Sequence, residues 1–343
     1  MTDIDIRIVG QAGRITLRRP KSLNALTYQM CTDIEAALET WREDDSVAQV
    51  ILDAEGDRAF CSGGDIADLY AAGRAGDFAF GRQFWADEYR LNHRLFTYPK
   101  PVISFLQGFT MGGGVGLGCH GSHRIVGDSS QIAMPECGIG LVPDVGGSLM
   151  LAKAPGRLGT YLGITCSRMG AADAIYAGFA DHYLPEHLWT ELIHSLEQGR
   201  SARTIADAAQ PIEPGPLQSQ QADLDALLTD ETLEAMMQRL RTTDSDLARD
   251  TAKRIARVSP LSAACTLEML RRLRASDLRI ETALDLEYRF TARASEQGDF
   301  LEGIRAAIID KDRAPAWQYA GRPVPNTAID AMLAPLGTAA LTL

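Results

Sequence analysis

The sequence predicts an α/β protein whose C-terminal part is helical, and three observations support this fold class. Segments with the two-residue period of strands alternate with segments of helical period over roughly the first 200 residues. Two glycine-rich turns each follow a predicted strand, and the last third carries Leu, Ile and Met at helical spacing. We therefore predict an α/β core over residues 1–205 and a helical region over residues 206–343.

The first elements follow from periodicity. Isoleucines alternate with polar residues over residues 4–8, and a second alternating segment follows a turn at residues 11–13, which is typical of a β-hairpin. From Thr27 to Trp41, apolar residues recur at helical spacing and predict an amphipathic helix. Further strands are predicted at residues 47–52, 102–106, 123–126 and 131–133. The second of these is apolar almost throughout, which indicates a strand covered on both faces.

The C-terminal part changes in composition. Residues 211–220 include three prolines and predict a linker or a long loop. Residues 224–241 and 260–309 carry periodic apolar residues and predict helices.

Composition and charge exclude several classes of partner. The chain has 343 residues, 45% of them hydrophobic, which suffices for a large core. A formal net charge of −11 disfavours nucleic acids and anionic membranes, because such partners require clustered basic residues. The six cysteines show no C-x-x-C spacing, and the first ten residues lack the basic and apolar pattern of an export signal. We therefore expect a cytoplasmic protein.

One uncharged segment is long enough to be tested as a membrane span. Residues 101–123 carry no full charge, but seven of them are glycines. That composition favours a buried strand that runs into a turn with exposed backbone, so we predict no membrane span here.

Two glycine turns carry the first chemical signal. One is Phe60–Asp65 and the other is Gly112–Gly114, and each lies between a predicted strand and a predicted helix. Such turns uncover backbone N–H groups, and two of them can form an oxyanion hole for a carbonyl oxygen. The alternative that both are simply tight turns stays open.

Other glycine motifs are weaker. The spacing of Gly116, Gly118 and Gly121 fits G-x-G-x-x-G, but the match lies inside a longer glycine run and lacks a clear strand followed by an acid at the distance a dinucleotide site requires. The chain has neither a P-loop motif nor a G-x-S-x-G nucleophile elbow. His120 and His123 lack the further ligands of a metal site, so we predict no metal.

Two acidic residues lie in an apolar, glycine-rich segment. Glu136 and Asp144 have no basic residue between Gln131 and Lys153 to pair with locally. Carboxyl groups in such surroundings tend to have perturbed protonation, which suits a general acid, base or nucleophile. Backbone capping by either carboxylate is an equally open alternative at this point.

Four segments in order resemble the enoyl-CoA hydratase/isomerase, or crotonase, superfamily. They are Arg19–Leu26, Phe60–Asp65, Gly108–Gly114 and Pro135-Glu136, and the resemblance covers about residues 5–200. It implies a crotonase-like spiral of β-β-α units and an acyl-coenzyme A substrate, with no cofactor besides the coenzyme A of the substrate. It also implies a homotrimer or homohexamer.

The resemblance implies roles for particular residues. The two N–H donors of the oxyanion hole would belong to Gly64 and Gly113. The nucleotide end of the substrate would be bound by Lys21, Ser22, Leu23, Ser62, Asp65 and Ile66.

Within the superfamily, two positions indicate the branch. Gly116 stands where a hydratase carries one of its two catalytic glutamates, whereas Glu136 corresponds to the other. Asp144 and the segment around Glu88 are similar to the 3-hydroxyisobutyryl-CoA hydrolase subfamily. This resemblance implies hydrolysis of 3-hydroxyisobutyryl-CoA, a step of valine catabolism.

The residues suggest a division of roles. Hydrolysis requires attack on the thioester carbonyl, so we expect Glu136 to attack or to orient water, and Asp144 to handle the proton and the substrate hydroxyl. Glu88 would help to seat the acyl group. The alternatives are enoyl-CoA hydration or isomerisation, acyl-CoA binding without catalysis, and a nicotinamide-dependent dehydrogenase.

Overall fold

The structure, a computed structural model, describes residues 2–343. Its strands are β1 (Ile4–Val9), β2 (Ala12–Leu17), β3 (Gln49–Ala54), β4 (Ala59–Cys61), β5 (Val102–Phe105), β6 (Phe109–Met111), β7 (His123–Val126), β8 (Gln131–Ala133) and β9 (His182–Tyr183).

The α-helices outnumber the strands. They are α1 (Tyr28–Arg42), α2 (Ala67–Arg74), α3 (Phe78–Phe96), α4 (Gly113–Gly118), α5 (Gly147–Lys153), α6 (Leu158–Thr165), α7 (Ala171–Tyr176), α8 (Trp189–Glu197), α9 (Ile205–Ala208), α10 (Pro216–Ser219), α11 (Gln221–Leu227), α12 (Leu233–Thr242), α13 (Asp246–Ile255), α14 (Pro260–Arg274), α15 (Ile280–Gln297), α16 (Phe300–Ile304) and α17 (Asn326–Met332). Short 3₁₀ helices lie at Pro20–Ser22, Glu136–Ile139, Glu186–Leu188, Ala202–Thr204 and Gly337–Ala339, and a π-helix at Arg305–Ile309.

The strands form two sheets. The larger has the order β1-β2-β3-β5-β7-β9, in which β1 and β2 pair antiparallel and the others pair parallel. The smaller has the order β4-β6-β8 and is parallel throughout. From β3 onward, strands consecutive along the chain therefore alternate between the sheets, and this repeats as β3-β4, β5-β6 and β7-β8. The repeat is the spiral of β-β-α units that the resemblance implies.

The residues divide into two compact units. The first unit comprises residues 2–65, 90–133 and 168–218 and holds both sheets. The second unit comprises residues 66–89, 134–167 and 219–343, and its described residues are helical without a strand. Each unit combines three separate segments of the chain, so the two units do not follow the division predicted at residue 205. That division into domains stays a prediction.

The core of the first unit lies against the larger sheet. All four residues of β5 are buried, as expected for a strand covered on both faces. The ring of Phe105 on β5 lies 5.3 Å from that of Trp189, centroid to centroid. Leu192 and Leu196 of α8 belong to the same buried cluster, so α8 covers this face of the sheet.

The predicted elements are largely confirmed, with breaks that the periodicity did not reveal. β1 and β2 form the predicted hairpin and α1 the predicted helix. The helix predicted over residues 224–241 is divided into α11 and α12, because the Thr232 hydroxyl accepts the N–H of Ala235 and caps a new helix. The helical segment predicted over residues 260–309 is interrupted at Leu278, whose φ of 52° is left-handed.

A glycine in the second unit allows two helices to approach closely. A Cβ built on Gly159 of α6 would lie 1.7 Å from the carbonyl oxygen of Leu151 in α5. We expect Gly159→Ala to destabilise the protein by about 3 kcal/mol, since one of the helices must move. The check is thermal unfolding of this variant beside Gly170→Ala, where an added Cβ would meet no atom within 4 Å. Equal melting temperatures for the two variants would contradict the close packing of α5 and α6.

Over residues 2–343, no helix is both long enough and apolar enough to cross a membrane.

Candidate active site

The two glycine turns of the first unit lie side by side. β4 and β6 are neighbouring parallel strands, with Cys61 opposite Thr110, so the turns that leave their carboxyl ends meet at one edge of the sheet. A Cβ built on Gly63 would lie 3.9 Å from the backbone nitrogen of Gly113. Gly63 has a φ of 114° and Gly112 a φ of 52°, conformations that favour glycine.

Two N–H groups in these turns have no acceptor among the described residues. The N–H of Leu26 donates to the carbonyl of Gly63, and the carbonyl of Leu26 accepts the N–H of Asp65. Neither hydrogen bond uses the N–H of Gly64, which lies between these two residues of the turn. Gly113 is the first residue of α4, where the N–H has no partner within the helix. Within residues 2–343, the N–H groups of Gly64 and Gly113 therefore remain available to a ligand oxygen.

The segment predicted to bind the nucleotide lies beside the first turn. Lys21 and Ser22 are exposed at the end of a 3₁₀ helix, and the carbonyl of Leu23 accepts the N–H of Ser62 at 3.0 Å. The guanidinium of Arg19 lies 3.1 Å from the carboxylate of Asp65. The structure thus brings together five of the six predicted residues within the first unit.

The sixth residue, Ile66, is the first residue of the second unit and precedes α2 as its N-cap.

Glu136 lies in a short turn of the second unit. It begins the 3₁₀ helix Glu136–Ile139, which ends at Gly140 in a left-handed conformation. The carbonyl of Cys137 accepts the N–H of Ser259, which ties this helix to the start of α14. The Glu136 side chain is buried, and its Oε2 has no hydrogen-bond partner within the described residues.

Asp144 is buried in the same unit and receives a hydrogen bond. The hydroxyl of Tyr89 donates to its Oδ2 at 2.8 Å. Asp144 does not cap a helix with its side chain, because α5 begins after Gly146 without any side-chain cap. The capping alternative for Asp144 is therefore not what the structure shows.

Glu88 lies near Asp144. Its side chain is 3% exposed, and its Oε1 has no hydrogen-bond partner among residues 2–343. Burial, and then the charge of Asp144, raise the pKa of Glu88 well above its ordinary value. The same two causes raise the pKa of Glu136. Burial raises the pKa of Asp144 to about 7, against the opposing hydrogen bond from Tyr89.

Two residues of this site were missed in the sequence. Tyr89 follows Glu88 directly and holds Asp144. Glu287 on α15 is fully buried and accepts the N–H groups of Gly146 at 2.8 Å and Ser148 at 3.1 Å. Burial raises the pKa of Glu287 to about 8. A signal existed for Glu287, since its helical spacing from the apolar Ala283 and Phe290 places it on the buried face of α15.

The chemistry available to these acids is proton transfer and attack on an electrophile. Among residues 2–343 none of the four carboxyl groups has a cationic partner: Glu88, Glu136, Asp144 and Glu287. Groups whose pKa is raised toward neutral can hold or release a proton near pH 7. No group of three or more His, Cys, Asp or Glu residues in the described chain is placed to hold a metal ion.

The buried acids predict how stability depends on pH. A carboxyl group whose pKa is raised by folding binds its proton more tightly in the folded state. Its contribution is fully present below the unfolded pKa and is lost as pH rises through the folded pKa, here from about 4 to about 7 for Asp144 and to about 8 for Glu287. We therefore expect the free energy of unfolding, measured in urea, to fall between about pH 5 and about pH 8.5.

A variant isolates the buried contribution. Glu88→Gln removes one group with a raised pKa. Between about pH 5 and about pH 8.5, we therefore expect the free energy of unfolding of this variant to fall less than that of the parent, by on the order of 1 kcal/mol or more. Glu234→Gln changes an exposed acid on α12 of the same unit and is the matched control. Equal pH slopes for Glu88→Gln and Glu234→Gln would show that the buried carboxyl is not protonated in the folded state.

Comparison with known proteins shows that the chain is similar to enzymes named for acyl-CoA substrates. The enoyl-CoA hydratase/isomerase family model matches residues 12–333. The mitochondrial 3-hydroxyisobutyryl-CoA hydrolase of Danio rerio is 37% identical over 90% of this chain and 83% of its own length. The protein of that name from Xenopus tropicalis is 37% identical over 97% of this chain and 89% of its own length.

Solved structures agree in fold. An enoyl-CoA hydratase from Rhodobacter sphaeroides superposes with a TM-score of 0.96 and 55% identity, and all of both chains is covered. A carnitinyl-CoA dehydratase from Mycobacterium thermoresistibile has a TM-score of 0.94 and 38% identity, covering 100% of this chain and 99% of its own. The two solved structures share the fold of this chain, while the names of the relatives divide between thioester hydrolysis and the addition or removal of water.

Proposed function

The chain belongs to the enoyl-CoA hydratase/isomerase family, as its motifs predicted, and from this premise we propose that it hydrolyses 3-hydroxyisobutyryl-CoA to 3-hydroxyisobutyrate and coenzyme A. The observation that carries the proposal is the acid cluster of the second unit. Glu136 and Asp144 are buried and have no cationic partner within residues 2–343. Burial, and then the charge of Asp144, raise the pKa of Glu136. Such a pair suits proton transfer to and from water and a leaving thiolate.

The proposed reaction begins with attack on the thioester carbon by an oxygen nucleophile, either water oriented by Glu136 or the Glu136 carboxylate itself. The carbonyl oxygen gains negative charge, which the N–H groups of Gly64 and Gly113 stabilise. The carbon–sulfur bond then breaks and Asp144 gives a proton to the thiolate. When water attacks directly, Glu136 takes the proton that the water loses; when Glu136 attacks, Asp144 recovers its proton from the water of the second step. If Glu136 is the nucleophile, water subsequently hydrolyses the resulting anhydride.

The substrate hydroxyl distinguishes the proposed substrate from a saturated acyl group. We assign recognition of this hydroxyl to Asp144, and seating of the acyl chain to Glu88, because both are buried acids that can accept or donate a hydrogen bond. The nucleotide end is assigned to Lys21, Ser22, Leu23, Ser62, Asp65 and Ile66.

Hydration of an enoyl-CoA is the second candidate function. The Rhodobacter sphaeroides structure, 55% identical, bears the name enoyl-CoA hydratase and favours it. Addition of water across a double bond uses two groups over adjacent carbons. Residue 116 is a buried glycine of α4 and supplies no carboxylate. Glu136 therefore lacks the second glutamate that a hydratase carries at this position. This difference favours hydrolysis.

One pair of assays separates the candidates. Release of free thiol would be followed with 3-hydroxyisobutyryl-CoA, its non-hydroxylated analogue isobutyryl-CoA, and other short branched acyl-CoAs. Loss of the enoyl absorbance would be followed with crotonyl-CoA. We expect thiol release that is fastest with the hydroxylated substrate. Water addition to crotonyl-CoA without thiol release would establish the second candidate, and saturable binding without turnover would make the protein a binding module.

Three wider features stay proposals. Hydrolysis of this substrate would place the protein in valine catabolism. A reducing, cytoplasmic location suits the six free cysteines among the described residues. A homotrimer or homohexamer is proposed from the superfamily, and light scattering of the purified protein would test it.

A further inference from the structure

Glu287 is a buried carboxyl group that the proposed reaction does not use. It lies on α15, has no exposed surface, and directs both oxygens at one short segment. Oε2 accepts the N–H of Gly146 at 2.8 Å, while Oε1 accepts the N–H of Ser148 at 3.1 Å and also its hydroxyl. One side chain thus accepts three hydrogen bonds from a segment that lies 139 to 141 residues earlier in the chain.

The segment held by Glu287 is the turn that carries Asp144. The carbonyl of Asp144 accepts the N–H of Gly147 at 2.7 Å, which closes a four-residue turn. Both central residues are left-handed, Val145 with a φ of 53° and Gly146 with a φ of 78°. Such a turn normally has Asn, Asp or Gly at its first central position, because a β-branched side chain is strained there. Strain of this kind persists where surrounding contacts hold the backbone.

The helix α15 also supports Asp144 through the hydroxyl of Tyr89. Thr291 lies one turn after Glu287 on α15, and its hydroxyl is 3.4 Å from the hydroxyl of Tyr89. That tyrosine donates to Oδ2 of Asp144 at 2.8 Å. Residues on one face of α15 therefore support both the backbone turn at Asp144 and, through Tyr89, the Asp144 carboxylate.

We propose that Glu287 is a positioning residue, which holds the strained turn at Val145 and thereby fixes the Asp144 carboxylate for the reaction. The proposal deepens the proposed function and rests on the role given there to Asp144. Without the carboxylate, Val145 relaxes toward a right-handed conformation and turns Asp144 away. A displacement of about 1 Å in a catalytic group can cost about 100-fold in rate.

A double-variant experiment tests this mechanism. Glutamine at residue 287 keeps the size of the side chain, but its NH₂ group cannot accept one of the N–H groups that the carboxylate accepts. We expect Glu287→Gln to lower kcat for thiol release by about 30-fold and to change KM by less than about threefold. In a Val145→Gly background the turn is unstrained, because glycine adopts a positive φ freely. In this background we expect Glu287→Gln to lower kcat by less than about threefold.

Two controls accompany the experiment. Glu296→Gln changes an exposed acid on the same helix and is expected to keep the parent kcat. Ser148→Ala removes only the hydroxyl bond to Glu287, so it tests the same contact if Glu287→Gln does not fold. Its loss in kcat is expected to be about fivefold and to fall below about twofold in the Val145→Gly background.

The outcomes separate this inference from the proposed function. If Asp144→Asn retains the parent rate of thiol release, the proposed function of Asp144 fails. If Asp144→Asn is inactive while Glu287→Gln and Ser148→Ala keep the parent kcat, Asp144 stays catalytic and the positioning role is wrong. An equal loss in the parent and Val145→Gly backgrounds would also overturn it, since the effect would not pass through the turn.

Discussion

Glu136→Gln is expected to lower kcat for thiol release by about 1000-fold or more, with the protein still folded. The side chain is buried, and its Oε2 has no hydrogen-bond partner within the described residues, so this oxygen is available to water or substrate. Glutamine has almost the same shape but can neither attack the carbonyl nor take a proton from water. The measurement is single-turnover thiol release from 3-hydroxyisobutyryl-CoA.

The control for this variant is an acid outside the cluster. Glu213→Gln, at an exposed position of the first unit, is expected to keep the parent rate. Burial, and then the charge of Asp144, raise the pKa of Glu136, so Asp144→Asn is measured alongside. Near-parent rates in both Glu136→Gln and Asp144→Asn would refute the acid pair as the catalytic groups.

Gly113→Pro is expected to lower kcat by about 100-fold to 1000-fold, the usual effect of removing one oxyanion donor. Proline has no N–H, and it is tolerated at the first position of a helix, which Gly113 occupies in α4. The preceding Gly112 has φ of 52° and ψ of −120°, the mirror image of an extended conformation. Since glycine adopts mirrored conformations, the restriction that proline places on its predecessor can be met.

Gly113→Ala is the matched control, because it adds a Cβ but keeps the N–H. We expect its kcat to lie within about tenfold of the parent, well above that of Gly113→Pro. Circular dichroism and thermal unfolding would establish that both variants are folded. Equal kcat values for the two would mean that the Gly113 N–H does not stabilise the transition state.

Patterns over a few residues that are neighbours along the chain explain many of the strands and turns that the sequence predicted. The hairpin depends on alternation over a few residues and β5 on a short apolar run, so β1, β2 and β5 were recognisable without tertiary contacts. The two glycine turns were recognisable because each is a short motif at the end of a strand. Their convergence also followed in principle, since equivalent strands of successive β-β-α repeats pair in parallel and bring equivalent turns to one edge.

The acids were recognised for a local reason as well. Glu136 and Asp144 stood out because no basic residue is near them in sequence. Whether they would be buried, capping or paired depended on other parts of the chain. Over residues 2–343, the structure gives Oε2 of Glu136 no hydrogen-bond partner, and Asp144 accepts a hydrogen bond from the hydroxyl of Tyr89.

The sequence by itself therefore determined the family, the α/β class and the two acids, because these depend on local periodicity and on compact motifs. Only the tertiary structure revealed Tyr89 and Glu287, the left-handed Val145 and the interleaving of the two units. The physical reason is separation along the chain. A contact between Gly146 and Glu287 joins residues 141 positions apart, and no local pattern specifies which distant side chain satisfies a buried N–H group.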